Sequence, residues 1–443
     1  MSSVTFHPSR LHGSVAVPPA KSEAHRILLL SAIGRGECLL HGFVPPLCDD
    51  TQAMLAGITA LGATVHHEGD KLRIVPAPPP APTAPPITVH VGACAAALRM
   101  LIPAFLVRGQ AVRFTMEPAL FARPLNAFEP LIAQIGATMR RTPATPTAPA
   151  MVELSGVLHA GCYEIDGALS SQYASGLLIA LSHATNELGQ AAPSTLMVKP
   201  PIVSRPYLDM TIKLMERFHV PCAENKEGVF VLPPATASSP SDERISGDWS
   251  QAAVLLCANA MGSGIMLDGL CCEKGDCLQG DAHVLDVLSA MGMRLYRTHG
   301  ELYAVSPSRA ELMPVTVDCS DIPDIAPILA LTLTQAHGTS TLSGVSRLRV
   351  KECDRLCATA HLLRELGAKP QVSADGDTLT VCGPVRLSGG FTADAQNDHR
   401  MVMLLAVAAL IASKPITVSG VESLNKSWPS FLSDYQKLGG KLS

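Results

Sequence analysis

Between residues 347 and 355 the sequence reads RLRVKECDR. Four cations (Arg347, Arg349, Lys351, Arg355) and two carboxylates (Glu352, Asp354) fill this run, in a chain that is only 16% charged. Read as the start of a helix, it places Lys351 and Arg355 four apart on one face, with Glu352 three before Arg355. Two cations beside a carboxylate suit a small substrate carrying phosphate or carboxylate groups, because ammonium and guanidinium donors make charge-assisted hydrogen bonds to both. The same pattern also suits a solvated, self-paired helix face. The rest of the chain has to decide between them.

Further polar clusters interrupt an apolar background, each at the start of an Ala/Leu-rich segment. They are KSEAHR (21–26), GACAAALR (92–99), SSQ (170–172), GDWSQ (247–251), DIPD (321–324) and NDHR (397–400). Arg123, Ser204, Tyr207 and Lys426 stand among turn residues in FARP, VSRPY and NKSWP. Helix starts favour anions through free backbone N–H groups and the helix dipole. Ser170 alone would read as an N-cap. Lys and Arg at such positions are disfavoured by the dipole, so an anion is expected to offset them.

The elements that would carry these clusters recur. A helix ending in a Leu-Gly-Ala-like stop, then a strand, a turn and a second strand, appears as TALGATVHHEGDKLRIVP (59–76) and again as ELGAKPQVSADGDTLTVCGP (365–384). Leu61, Ile135, Phe218, Met291, Leu366 and Leu438 mark six copies, at intervals of 74, 83, 73, 75 and 72 residues. Between the markers an apolar helix runs into a β-branched strand, as in LIPAFLVRGQAVRFTME (101–117), the intervening glycine reading as a helix stop. These helices are apolar nearly all round and should be buried; those ending at the markers, such as 355–367, are amphipathic and should be peripheral.

Six copies suggest two α/β domains of three. The first is expected over 19–244 and the second over 1–18 with 245–443, with the Pro/Ser-rich stretch 233–243 as the linker. The N-terminal strand 3–17 is expected to complete the sixth repeat. The proline-rich stretches 76–86 and 142–149 read as surface loops.

A chain of 443 residues exceeds one ordinary core, and 47% hydrophobic content excludes a disordered protein. The net charge of −4 argues against a nucleic-acid binder, so the local basic clusters point to small anions. Thirteen scattered cysteines read as free thiols of a reducing cytoplasm. Cys271, Cys272 and Cys277 lack a second pair at zinc-site spacing, so no metal is expected. No apolar run suggests a signal core or a membrane span, and a monomer is the default expectation.

PPAKSEAHR, DGALSSQ, VSRPYLDM, RLRVKECDR and NDHRM, in this order on a sixfold repeat, resemble the 5-enolpyruvylshikimate-3-phosphate synthases over essentially the whole chain. The resemblance implies an inside-out α/β barrel fold of two domains, each of three βαβαββ units, with the active site in the cleft between them. It implies transfer of the enolpyruvyl group of phosphoenolpyruvate to the 5-hydroxyl of shikimate 3-phosphate, with no metal or organic cofactor. Carried over by position, Lys21, Ser22, Arg26, Ser170, Ser171, Gln172, Ser204, Tyr207, Asp324 and Lys351 would hold shikimate 3-phosphate. Lys21, Arg123, Gln172, Arg355, Arg400 and Lys426 would hold phosphoenolpyruvate. Asp324 becomes the candidate base, and Glu352 or Lys21 the candidate proton donor. Without the resemblance, Asp324 would also read as an N-cap and Glu352 as an ion-pair partner of Arg355. Asp248 reads as structural.

The related UDP-N-acetylglucosamine enolpyruvyltransferases usually carry Lys-Asn where this chain has Lys21-Ser22, and a loop cysteine near Ala119 and Leu120. An RNA-processing cyclase of similar build is disfavoured by the net acidity. The chain departs from the family pattern at Ala93, Ala95 and Ala96, where a Gly and a Ser or Thr are usual, and at Ala20 in place of Ser. An added methyl and a lost hydroxyl at an anion-binding loop should weaken phosphoenolpyruvate binding. Two outcomes stay open: a working enzyme that also excludes bulkier analogues, or a binder of shikimate 3-phosphate without turnover.

Overall fold

The computed structural model describes residues 2–78, 86–234, 238–271, 277–298, 301–305 and 312–443. Among these residues the strands form six four-stranded sheets with one pairing pattern. In the second repeat, Ile87–Gly92 lies parallel to Val112–Met116, which pairs antiparallel with Ala150–Ser155, and that strand pairs antiparallel with Thr138–Thr142. The parallel neighbours are joined by the helix Ala95–Val107, because parallel strands need a long crossover while the antiparallel pair closes by a turn. Alternate residues of these strands are buried, the period of a sheet with one covered face.

The chain divides into a continuous unit, Pro19–Ile245, and a discontinuous unit, Met1–Pro18 with Ser246–Ser443. Three sheets belong to each. The discontinuity follows from the N-terminal strands Ser3–His7 and His12–Ala16, which pair with strands of the discontinuous unit's second segment, while the first sheet is completed from the far end of its own unit. His12–Ala16 lies parallel to Gly264–Asp268 and supplies the outer strand of the fourth sheet. Asp242–Arg244 lies parallel to Cys38–His41 and does the same for the first.

Two expectations are corrected here. The stretch 3–17 is two strands in different sheets: Ser3–His7 pairs with Ile416–Ser419 and Lys441–Leu442 in the sixth, whereas His12–Ala16 joins the fourth. The tail of the expected linker 233–243 is also structured, since Asp242–Arg244 is an edge strand. Charged, short edge strands need only backbone pairing and carry no hydrophobic signature. Residues 235–237 of that stretch, 79–85 of the first proline-rich loop, and Cys272 lie outside the described residues.

The apolar helices form the interiors. Lys21–Ile33, Ala95–Val107 and Ser171–Leu181 are buried along nearly their whole length in the continuous unit. Trp249–Ala260, Ala326–Leu333 and His399–Ala409 are buried throughout in the discontinuous one. Peripheral helices such as Arg205–Arg217 bury one stripe, Leu208, Met210, Thr211, Leu214 and Met215. Glycine stops take several forms: Gly109 and Gly262 adopt φ of +63° and +100°, but Gly34 is extended.

One close approach matters for the site. A Cβ on Gly176 would lie 2.8 Å from Met100 Cα and 3.0 Å from the Arg99 carbonyl oxygen, so only glycine lets the helices 95–107 and 171–181 touch there. Pro103 inside the first of these helices removes the N–H that would bond Arg99, and its ring packs against the same glycine position. The contact brings Gln172 within reach of Arg99.

Candidate active site

All six polar clusters lie at or just before the starts of the buried helices. In the continuous unit Lys21 opens the helix Lys21–Ile33. Its Nζ lies 3.0 Å from Asp50 Oδ2, at the start of the helix Asp49–Ala60. Lys21 keeps 17% of its side chain exposed, and Asp50 offsets the unfavourable dipole.

His25 Nε2 meets the Asp50 carbonyl at 3.0 Å. Burial pushes its pKa down to about 4 against the pull of Asp50, with Lys21 and Arg26 adding to the fall. Arg26 is buried, and its donors reach Thr211 Oγ1 (2.7 Å), the Ser22 carbonyl (2.6 Å), Ser175 Oγ (3.0 Å) and the Tyr207 carbonyl (2.9 Å). Arg26 thereby ties the segment around Ser22 to that around Tyr207.

Ser170 is the N-cap of the third buried helix and accepts from the Gln172 N–H at 3.3 Å. Gln172 Oε1 accepts from Arg99 Nη1 at 2.9 Å, and the Arg99 guanidinium carbon sits 4.8 Å from the Tyr173 ring centroid. Arg99 is therefore held in the second turn of the helix Ala95–Val107, facing Gln172. The Cys94 thiol caps the helix there, accepting from the Ala97 N–H at 3.3 Å. Arg123 follows the short helix Pro118–Phe121, and its carbonyl accepts from Arg141 Nη2 at 3.4 Å. Ser204 takes φ +53°, a left-handed conformation uncommon for a side chain with Cβ, and precedes the helix carrying Tyr207.

The discontinuous unit gathers the rest. Asp324 Oδ1 accepts from Lys351 Nζ at 3.0 Å and Arg355 Nη1 at 2.8 Å, and Arg400 Nη2 stands 3.9 Å from its Oδ2. Glu352 Oε2 accepts from Arg355 Nη2 at 2.6 Å, and Lys426 Nζ lies 3.6 Å from Oε1. Burial by itself would raise the Asp324 pKa, but Lys351, Arg400 and Arg355 together hold it well below the usual carboxylate range. Burial lowers the Lys351 pKa against the pull of Asp324. For Arg355, burial is outweighed by Asp398, Glu352 and Asp324, which keep the guanidinium firmly charged.

The convergence is as expected, but its local structure is not. Ser346–Val350 is a 3-10 turn, Lys351 follows in extended backbone, and the helix begins only at Arg355. Lys351 and Arg355 share no helix face; they meet because both point at one oxygen of Asp324. Asp324 is not the cap of its helix, whose N-cap position is Ile325. The Glu352–Arg355 ion pair is present. Arg349 turns to Asp354 at 3.2 Å and Arg347 to the Ser320 carbonyl at 3.1 Å.

Residue-type reasoning left Asp50, Ser250 and Asp398 without a role here. Asp398 caps the helix His399–Ala409 and grips Arg355 from beneath, its Oδ2 accepting from Nε at 2.6 Å. Ser250 accepts from Arg400 Nη2 at 2.9 Å and donates to Asp248 Oδ1 at 2.5 Å, while Asp248 caps the helix Trp249–Ala260. Their only sequence signal is an acidic or hydroxyl residue at a helix start, which capping already explains.

The sequence profile of the family described as EPSP synthase (3-phosphoshikimate 1-carboxyvinyltransferase) matches residues 6–435. The chain belongs to the EPSP synthase family. The 3-phosphoshikimate 1-carboxyvinyltransferase of Methanocorpusculum labreanum is 34% identical over 434 residues, covering 98% of each chain. That of Clostridioides difficile is 30% identical over 452 residues, covering 100% of this chain and 98% of its own. Among solved structures, EPSP synthase from Acinetobacter baumannii superposes with a TM-score of 0.77 at 21% identity, covering all of both chains. The enolpyruvyl transferase NikO from Streptomyces tendae gives 0.75 at 19%, covering 100% of this chain and 98% of its own. These matches show the fold, the two-domain inside-out α/β fold of enolpyruvyltransferases.

Proposed function

We propose that this EPSP synthase family member transfers the enolpyruvyl group of phosphoenolpyruvate to the 5-hydroxyl of shikimate 3-phosphate and releases inorganic phosphate, a step of aromatic amino-acid biosynthesis. The observation that carries the reading is the cluster around Arg355. There Asp324 and Glu352 stand among Lys351, Arg355, Arg400 and Lys426, an arrangement that pairs proton-transfer groups with anion-binding ones.

In addition, Asp324 takes the 5-hydroxyl proton as the oxygen bonds to C2 of the enol, and Glu352 or Lys21 delivers a proton to C3, which becomes a methyl group. The tetrahedral intermediate carries both carboxylate and phosphate, and Arg123, Arg355, Arg400 and Lys426 offset that charge. In elimination the C2–O bond to phosphate breaks, the methyl group returns one proton, and the vinyl ether forms. Lys21, Ser22, Arg26, Ser170, Ser171, Gln172, Ser204, Tyr207, Asp324 and Lys351 are assigned to shikimate 3-phosphate. Lys21 and Gln172 also serve phosphoenolpyruvate.

The reading includes a monomer working in the cytoplasm. Its twelve described free cysteines fit a reducing compartment, and no described helix is long and apolar enough to cross a membrane. Among the described residues no group of three or more His, Cys, Asp or Glu side chains could hold a metal ion. The test is phosphate release at saturating shikimate 3-phosphate as phosphoenolpyruvate is titrated to about millimolar, the upper range of ordinary KM values. Saturable release supports the reading, and no release at that concentration overturns it.

A further inference from the structure

Arg355 is held by three carboxylates that differ in kind. Asp324 and Glu352 keep 35% and 17% of their side chains exposed, whereas Asp398 is fully buried. Asp398 Oδ2 accepts from Arg355 Nε at 2.6 Å and Oδ1 from Nη2 at 3.3 Å, a side-on grip on one edge of the guanidinium. The same Oδ1 accepts from the backbone N–H of Arg400 at 2.9 Å as the cap of the helix His399–Ala409. Its other neighbours are the Cys353 thiol, 3.6 Å from Oδ2, and His399 Nδ1, 3.6 Å from Oδ1. One buried carboxylate therefore fixes the side chain of one anion-binding arginine and the backbone that presents the other.

We infer that Asp398 is the positioning residue of the phosphoenolpyruvate subsite, locking Arg355 and Arg400 in mutual register so that both address one doubly anionic ligand. The inference rests on the assignment of those arginines to phosphoenolpyruvate in the proposed function. A bidentate grip matters because a guanidinium is directional: an arginine free to swing loses the fork geometry that recognises phosphate and carboxylate. Asp398 touches no reacting atom in this scheme. It acts through Arg355.

Asp398→Asn separates this role from capping. Asparagine caps helices about as well as aspartate and has nearly the same shape, but it carries no charge and only one acceptor oxygen. Loss of a charge-assisted bond to Arg355 should raise KM and Kd for phosphoenolpyruvate by about 10- to 100-fold. The KM for shikimate 3-phosphate should stay within about twofold of wild type, even though loss of the buried pair lowers the melting temperature. In an Arg355→Ala background the same substitution should change the phosphoenolpyruvate Kd little, because its route of action is gone.

Calorimetric titration of phosphoenolpyruvate with shikimate 3-phosphate saturating, beside steady-state kinetics, reads all of this. An equal rise in both KM values, or an undiminished penalty in the Arg355→Ala background, overturns the inference. Wild-type binding without turnover overturns the proposed reaction and leaves the Kd comparison to decide the positioning role. No binding of phosphoenolpyruvate by the wild type overturns both.

Discussion

Replacing Asp324 with Asn asks most of the proposed chemistry, because the substitution changes charge and basicity with almost no change of shape. The carboxylate accepts from Lys351 and Arg355 on one oxygen, with Arg400 3.9 Å from the other. Four cations (Lys351, Arg355, Arg400, Lys426) face three carboxylates (Asp324, Glu352, Asp398) in this cluster. Neutralising one leaves four against two, which makes the site more attractive to anions, so the KM for phosphoenolpyruvate should hold or fall. Loss of a general base costs about 10²- to 10⁴-fold in kcat. The expected signature is a large fall in kcat with no rise in that KM, read by phosphate release. A kcat within about tenfold of wild type refutes Asp324 as the base.

The pH profile sharpens the same prediction. Asp324 is held well below the usual carboxylate value of 3.8 by Lys351, Arg400 and Arg355 acting against burial. Its folded pKa is depressed, so its stabilising contribution is complete above that value and is lost only as pH falls through the lower folded one. A carboxylate so clamped is a weak base. In the proposed binding mode, substrate phosphate and carboxylate would compete for Lys351 and Arg355 and so raise its basicity. An acid limb owed to Asp324 should therefore lie at higher pH in kcat, which reports the complex, than in kcat/KM, which reports the free enzyme. Coincident limbs would contradict that argument.

His25 is buried neutral, its pKa lowered from 6.5 to about 4, so stability present above the unfolded value should drain as pH falls between those points. The loss amounts to about 3 kcal/mol, and His25→Asn should flatten the melting temperature over that range; an unchanged slope would assign it elsewhere. Arg26→Met removes donors to Thr211, Ser175 and the Ser22 and Tyr207 carbonyls. Urea unfolding should show a loss of roughly 3–5 kcal/mol, and a loss below about 1 kcal/mol would mean these bonds are replaceable. Ala95→Gly with Ala96→Thr, at the start of the helix Ala95–Val107, should lower the KM for phosphoenolpyruvate; no change would place this helix start away from the phosphate.

The repeat was legible because each copy ends a helix with the same stop and begins an apolar one with a polar cluster, and burial enforces both patterns. What escaped were elements defined by pairing alone. Asp242–Arg244 carries almost no apolar pattern because its place on the edge of the first sheet asks only for backbone hydrogen bonds. Residues 3–17 contain two strands whose destinations depend on which sheets lack a member. Lys351 and Arg355 were rightly grouped for a wrong reason: the helical spacing does not exist, and a shared acceptor replaces it.

The cations at helix starts led the sequence reading to an external anion, and the structure adds that the chain supplies internal partners as well. Lys21 has Asp50, Arg355 has Asp398, and Arg400 has Ser250 with Asp324 beyond it. Such partners are a physical necessity, since an unpaired charge held out of water costs far more than any capping interaction returns. They were invisible in sequence because an aspartate at a helix start is already explained by the helix. Exposure is what sorts them. A carboxylate sealed with its arginine, as Asp398 is, cannot exchange partners without unfolding its surroundings, so it fixes geometry. One that keeps about a third of its surface open, as Asp324 does, fits the proposed role of yielding its cations to substrate phosphate and taking up a proton. Glu352, at 17%, lies between these limits and contacts both Arg355 and Lys426, which suits a group that moves a proton while its neighbours hold charge.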